Sequence, residues 1–302
     1  MSGTRAGFVA LIGEPNAGKS TMLNALVGAK LSIVTHKVQT TRGRVRGVLN
    51  AGDDQIVFVD TPGLFVPRRR LDRAMVSAAW AGAGEADAVV LLIEAQKGLT
   101  EGVRRIVGQY RGQVSPDIPV AVAVNKIDKV RRDSLLALTT EIAELHDFDR
   151  VFYVSATRRD GLDDMVEWLR GLMPEGPWLY PEDQLGDTSM RAIAAELTRE
   201  KLMLRLHQEL PYQLTVGTDS WEERRDGSVR IEQTVYIAKE GHRPIVLGKG
   251  GQTLKAVGQA AREELAGMLE RPVHLFVHVK VDPRWLDDAD RYAEMGLDLP
   301  DR

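Results

Sequence analysis

The chain has 302 residues, 43% apolar and 27% charged, with a formal net charge of −3, the profile of an ordinary folded protein long enough for two domains. It contains no cysteine, which excludes disulfides, thiolate nucleophiles and zinc–thiolate sites, argues against redox chemistry and fits a reducing compartment. The mild acidity excludes a generally basic nucleic-acid coat, so any RNA or DNA contact has to come from a local patch.

Residues 1–5 lead directly into a strand-like run, leaving no room for a cleavable signal peptide. No apolar run approaches the about 20 residues that span a bilayer, and a cytoplasmic location is expected. The first run, residues 8–12, is followed by Gly13-Glu14-Pro15-Asn16-Ala17-Gly18-Lys19-Ser20 and a helical stretch that begins at Thr21. This is the order a phosphate-gripping loop requires, because glycines let consecutive N–H groups and the helix N-terminus face anionic oxygens. Lys19 then neutralises β- and γ-phosphates, and the Ser20 hydroxyl meets a Mg²⁺ that bridges them.

Gln39-Thr40-Thr41-Arg42 comes next, where a threonine hydroxyl can ligate the metal only in the triphosphate state. Thr41 is favoured, although sequence alone does not separate it from Thr40. Arg42, Arg44 and Arg46 read either as a solvated strand face or as an RNA contact. The run at 56–59 is followed by Asp60-Thr61-Pro62-Gly63, in which the carboxylate serves the Mg²⁺ shell and the Gly63 N–H reports on the γ-phosphate. Lys19, Thr41 and Gly63 are therefore the residues expected to carry hydrolysis.

Further buried runs at 88–93, 120–124 and 151–154 alternate with helical periodicity, which predicts an α/β fold with a mostly parallel sheet covered on both faces. Asn125-Lys126-Ile127-Asp128 follows the fourth run. Its Asp128, read as a buried carboxylate, can accept from N1–H and N2–H₂ of guanine, donors that adenine lacks. Asn125 ties this loop to the others, and the Lys126 stem covers the base. Ser155-Ala156-Thr157, after the fifth run, offers a backbone N–H to guanine O6.

A helix over 162–173 ends at Pro174-Glu175-Gly176-Pro177, which bounds a first domain at 1–175 and a linker at 176–189. The remainder, 190–302, reads as a helix over 191–209, a strand over 213–222, a turn at Arg225-Asp226-Gly227-Ser228, a strand over 229–238, and a short helix toward Leu247. A glycine turn, a helix over 252–268 and a strand over 273–281 complete it before an acidic tail that runs to Asp301. Between residues 239 and 262 five Lys/Arg, Lys255 among them, face one acid.

The motif order resembles the GTPase superfamily, and Asn16 with Leu64 narrows the resemblance to the bacterial subgroup in which a hydrophobic residue replaces the catalytic glutamine. Leu64 cannot orient an attacking water by hydrogen bonds. The resemblance implies that a K⁺ held at Asn16 takes the place of an arginine finger; local bonding of the Asn16 side chain within its loop is the alternative.

Gly248-Lys249-Gly250-Gly251 between two helices, after two strands and before a third, resembles a type II KH domain. That likeness implies backbone and Lys249 contacts to a sugar-phosphate chain, with an apolar groove for unstacked nucleotides. The candidates for the groove are Ile245, Val246, Leu254 and Val257, all of which also suit a core; Lys280 and Trp285 are candidates to extend the surface.

A GTPase domain joined to one KH domain across nearly the whole chain is similar to the Era family. The resemblance implies binding to the 3′ end of 16S ribosomal RNA, a role in 30S subunit maturation, and a peripheral association with the inner membrane. A monomer is expected. The sequence keeps two alternatives open: a GTPase assisting tRNA modification, whose typical C-terminal cysteine is absent here, and an RNA-binding scaffold with structural nucleotide, which Leu64 makes conceivable.

Overall fold

The computed structural model describes residues 3–37, 40–207 and 210–300. Gln39, proposed as part of the metal-covering segment, Glu209, expected to end a helix, and Asp301 of the acidic tail lie outside them.

The near-continuous apolar runs become β1 (Arg5–Gly13), β3 (Asp54–Asp60), β4 (Ala88–Glu94), β5 (Val120–Asn125) and β6 (Arg150–Val154), all parallel; β2 (Val45–Ala51) pairs antiparallel with β3, and the order is β2-β3-β1-β4-β5-β6. Burial on both faces explains their composition. Val9 and Leu11 pack with Met22, Leu23 and Leu26 of α1 (Lys19–Val27) and with Leu162, Met165 and Leu169 of α5 (Leu162–Arg170). Ala10 and Ile12, on the opposite face, pack with α2 (Arg70–Gly84), α3 (Glu101–Gln113) and α4 (Arg132–Leu145) through Trp80, Ile106 and Ile142. Because these strands run parallel, the loops after β1, β3, β5 and β6 lie at one end of the sheet, where α/β folds bind ligands.

Two expectations change here. The helix predicted over 162–173 ends at Arg170, where Gly171 caps it and the next residues turn toward Pro174. Arg42, offered as part of a solvated face, is buried. Arg44 pairs with Glu85 at 2.6 Å and Arg46 with Asp187 at 3.0 Å.

The chain divides into two compact units, the second made of Ile33–Lys37 and Thr188–Met295. In the first, the stretch expected as a linker is held along the sheet up to Asp187. Val48 N–H donates to Leu185 O at 2.8 Å, and buried Gln55 accepts from Leu179 N and Tyr180 N at 2.8 and 2.9 Å.

The second unit contains α6 (Met190–Arg205), β7 (Leu214–Glu223), β8 (Val229–Ile237), α7 (Arg243–Leu247), α8 (Gln252–Leu269), β9 (Val273–Val281) and α9 (Ala289–Glu294). Its sheet runs β7-β8-β9, antiparallel then parallel. Ser189 caps α6, accepting from Ala192 N at 3.3 Å, and the helix stops at Arg205 instead of reaching 209. Ile33 is buried with Ile193, Leu197, Ile231 and Leu265. Val34 N–H donates to Glu200 Oε1 at 2.9 Å, and Lys37 Nζ donates to the carbonyls of Met203 and Leu206, where a helix C-terminus attracts a cation. Among the described residues no helix is long and apolar enough to cross a membrane.

Candidate nucleotide-binding site

The loop after β1 is shaped by backbone that only glycine accepts without strain. Gly13 has φ +146°, and a Cβ there would lie 2.6 Å from Leu92 O; Gly18, at φ +104°, forms the N-terminal boundary of α1. Asn16 also takes a left-handed conformation, φ 66°, which asparagine tolerates better than most side chains. Glu14 is fixed from outside the loop, its carboxylate accepting from Thr100 Oγ1 at 2.7 Å. Ala17 is buried, and Thr21 continues the first turn of α1.

Lys19 is 5% exposed, its Nζ donating to the carbonyls of Gly13 and Glu14 at 3.1 and 3.0 Å. Burial lowers its pKa to about 8, against opposing pulls from Asp60 and Glu14.

Three side chains from separate segments meet at Asp60. Its Oδ2 accepts from Ser20 Oγ at 2.6 Å, Ser32 Oγ at 2.8 Å and Thr41 Oγ1 at 3.3 Å, and Ser20 and Thr41 hydroxyls are 2.7 Å apart. The other oxygen, Oδ1, is buried with no hydrogen-bond partner among the described residues. Burial raises the Asp60 pKa, opposed by Lys19 and by the three hydroxyls. An oxygen-only donor set with an unsatisfied carboxylate oxygen fits Mg²⁺, which prefers few protein ligands beside substrate phosphates. Ser20, Thr41 and Asp60 are the residues that would hold it.

Thr61, Pro62, Gly63 and Leu64 are all buried, with Thr61 Oγ1 donating to Leu11 O at 2.8 Å. A Cβ at Gly63 would lie 2.8 Å from Pro15 Cγ, so the two loops touch at a position without room for a side chain. Leu64 packs into the core under the sheet.

Asn125, fully buried, joins three loops: Nδ2 donates to Ala17 O at 2.9 Å, while Oδ1 accepts from Lys126 N at 2.8 Å and Ala156 N at 3.1 Å. Lys126, in a left-handed backbone, donates through Nζ to Asn16 O at 2.8 Å and pairs with Glu94 at 3.0 Å. Asp128 accepts from Ser155 Oγ at 2.7 Å, the main cause of its lowered pKa. It is half-exposed, contrary to the buried carboxylate expected, because the loop after β5 carries it to the surface. Thr157 is exposed, its hydroxyl 3.3 Å from that of Ser155.

Ser32, Glu94 and Thr100 were not singled out by sequence. Glu94 carried a usable signal, a charge ending a buried strand; Ser32 and Thr100 belong to no recognisable string.

In the second unit Gly248 (φ +74°), Gly250 (φ +61°) and Gly251 (φ +79°) link α7 to α8. A Cβ at Gly248 would fall 2.2 Å from Thr253 Oγ1, whereas Gly250 opens on free space. Lys249 and Lys255 are exposed, and Ile245 is 55% exposed. Of the residues read as groove or core, Val246 and Val257 are fully buried core with Leu254 packed against them, because helix periodicity turns them inward, so Val246 is not available as the RNA contact it was a candidate for. Trp285 is likewise core. Lys280 lies on the outer face of β9, its Nζ 5.8 Å from the Tyr236 ring centroid.

The family described as 50S ribosome-binding GTPase matches residues 8–126, and the KH domain family matches residues 209–286. The GTPase Era of Dinoroseobacter shibae is 61% identical over 298 residues, covering 99% of this chain and 97% of the relative. That of Rhizobium meliloti is 54% identical over 297 residues, covering 98% and 94%. Two solved structures superpose with TM-scores of 0.91 at 36% identity, each covering 97% of this chain and 99% of the other. One is an Aquifex aeolicus Era variant bound to GDP and AlF₄⁻, the other Era with MgGDPNP and nucleotides 1506–1542 of 16S ribosomal RNA.

Proposed function

The chain belongs to the Era family of GTPases, and from that premise we propose that its nucleotide state governs how the KH unit engages the 3′ end of 16S ribosomal RNA during 30S subunit maturation. The observation that carries the reading is the meeting of Thr41 with Ser20 and Asp60. Thr41 lies on the segment between α1 and β2, so a hydroxyl that answers to the triphosphate also fixes that segment.

Within the site, the backbone of Glu14, Pro15, Asn16, Ala17 and Gly18 cradles the phosphates, and the Lys19 ammonium offsets charge on the transferred group. Mg²⁺, when bound, neutralises the β- and γ-oxygens. Gly63 N–H reports the γ-phosphate, and Asp128 selects guanine. Leu64, buried and apolar, orients no water, so intrinsic turnover is slow. Asn16 would hold a K⁺, which would supply the missing charge stabilisation; equal turnover in K⁺ and Na⁺ removes it from the mechanism.

RNA contacts fall to Gly248, Lys249, Gly250 and Gly251, with Ile245, Leu254, Lys255 and Lys280 around them. Gly250 and Gly251, with positive φ and open space where a Cβ would sit next to exposed Lys249, support this, since a backbone without Cβ lets phosphates approach closely. The protein acts as a monomer in the cytoplasm, and fractionation against the inner membrane tests a peripheral association there. The central test is RNA affinity measured with a GTP analogue and with GDP. A tighter complex with the analogue is expected, and equal affinities remove the coupling.

A further inference from the structure

Ser32 approaches the nucleotide site from a place no phosphate-binding motif specifies. Its side chain is 3% exposed and its Oγ donates to Asp60 Oδ2 at 2.8 Å. The approach is fixed by α1: Asn24 Oδ1 accepts from Leu31 N at 2.9 Å and Ser32 N at 3.0 Å, and Asn24 Nδ2 donates to Ser32 O at 2.7 Å. Three hydrogen bonds from one amide hold the two residues that deliver the hydroxyl.

The other two hydroxyls on the same oxygen differ in kind. Ser20 and Thr41 belong to the donor set that suits the ion, and their positions answer to it. Ser32 is held by Asn24 instead. By engaging Oδ2, the oxygen that Ser20 and Thr41 also meet, it restrains the carboxylate's rotation beside the ion's donor set, while Oδ1 is buried and without a partner among the described residues.

We infer that Ser32, held by Asn24, is a positioning residue that orients Asp60 for Mg²⁺-dependent nucleotide retention. The inference rests on the reading of Asp60 as the carboxylate of the Mg²⁺ site. Residues that hydrogen-bond a metal-site carboxylate without touching the ion commonly change metal affinity when removed.

Release of a fluorescent GDP analogue, followed across a Mg²⁺ titration and in EDTA, tests it. Ser32→Ala is expected to move the Mg²⁺ midpoint for slow release upward by roughly ten- to a hundredfold, with release in EDTA unchanged. Ser32→Cys, which keeps the side chain's shape with a weaker donor, is expected to shift it in the same direction and serves if the alanine variant folds poorly. A midpoint equal to that of the natural protein in both variants overturns the inference. So does faster release in EDTA by the same factor as in Mg²⁺, since that marks a general loosening of the loop. A natural protein whose release ignores Mg²⁺ removes the Asp60 reading itself, a result distinct from unresponsive variants beside a responsive parent.

Discussion

The amide nitrogen of Asn125 lies 2.2 Å from where a Cβ on Gly18 would sit. The phosphate loop and the base loop are therefore fitted together at a residue with no side chain, and the fit is sealed by the Asn125 to Ala17 hydrogen bond of 2.9 Å. Gly18→Ala has to displace Asn125 and also hold alanine at φ +104°. The variant is expected to lose about 3 kcal/mol of GDP binding, near a hundredfold, measured by calorimetry. Unchanged affinity contradicts this account of the loop contact.

Asp128→Asn replaces an acceptor for two guanine donors by a group that is itself part donor. GTP affinity is expected to fall by roughly a hundredfold while xanthosine triphosphate gains. Competition titrations with GTP, XTP and ATP read the result. Retention of the preference for GTP shows that the base is chosen elsewhere.

Lys19 has a folded pKa of about 8 against an ordinary 10.5, with burial as the largest cause. Between those values the unfolded chain binds more protons, so stability of the nucleotide-free protein rises with pH in that window. The cost of the buried ammonium is present in full below about pH 8 and is relieved toward 10.5. The whole change is about 3 kcal/mol. Thermal unfolding of the natural protein and of Lys19→Met, compared from pH 7.5 upward, should give a difference that shrinks as pH rises; a constant difference refutes the assignment.

Lys249 stands exposed in the turn between α7 and α8. Lys249→Ala is expected to weaken binding of single-stranded RNA across sequences alike and to lower the salt slope of log K by about 0.7, the value for one lost phosphate contact. Binding measured at several salt concentrations decides it, and an unaltered slope places the phosphates elsewhere.

The central strands and the phosphate loop were legible because burial on both faces writes continuous apolar runs, and because Gly13 and Gly18 occupy backbone that other residues resist. β2 was not legible. An edge strand carrying Arg46, Gly47 and Asn50 shows neither a continuous run nor clean alternation, and its place comes from pairing with β3. Val246 and Val257 were ambiguous for a related reason, since apolar residues at helical spacing serve a groove and a core equally well. Ser32 and Ile33 had no local signature at all. One meets a carboxylate 28 positions away in sequence, and the other is buried among residues beyond 190, relations that exist only once the chain is folded.

The covering of β2 has a further consequence. An outermost strand ordinarily offers unpaired backbone groups on which a second molecule can extend the sheet. Here the Val48 N–H is taken by Leu185 O at 2.8 Å, Gly47 bridges to Gly186, and Arg46 holds Asp187. A Cβ on Gly186 would lie 2.6 Å from Arg46 O, so the covering strip can lie this close only because it is bare of side chain there. The chain thus covers the middle of this margin itself, and the template left for strand-by-strand aggregation is shortened there.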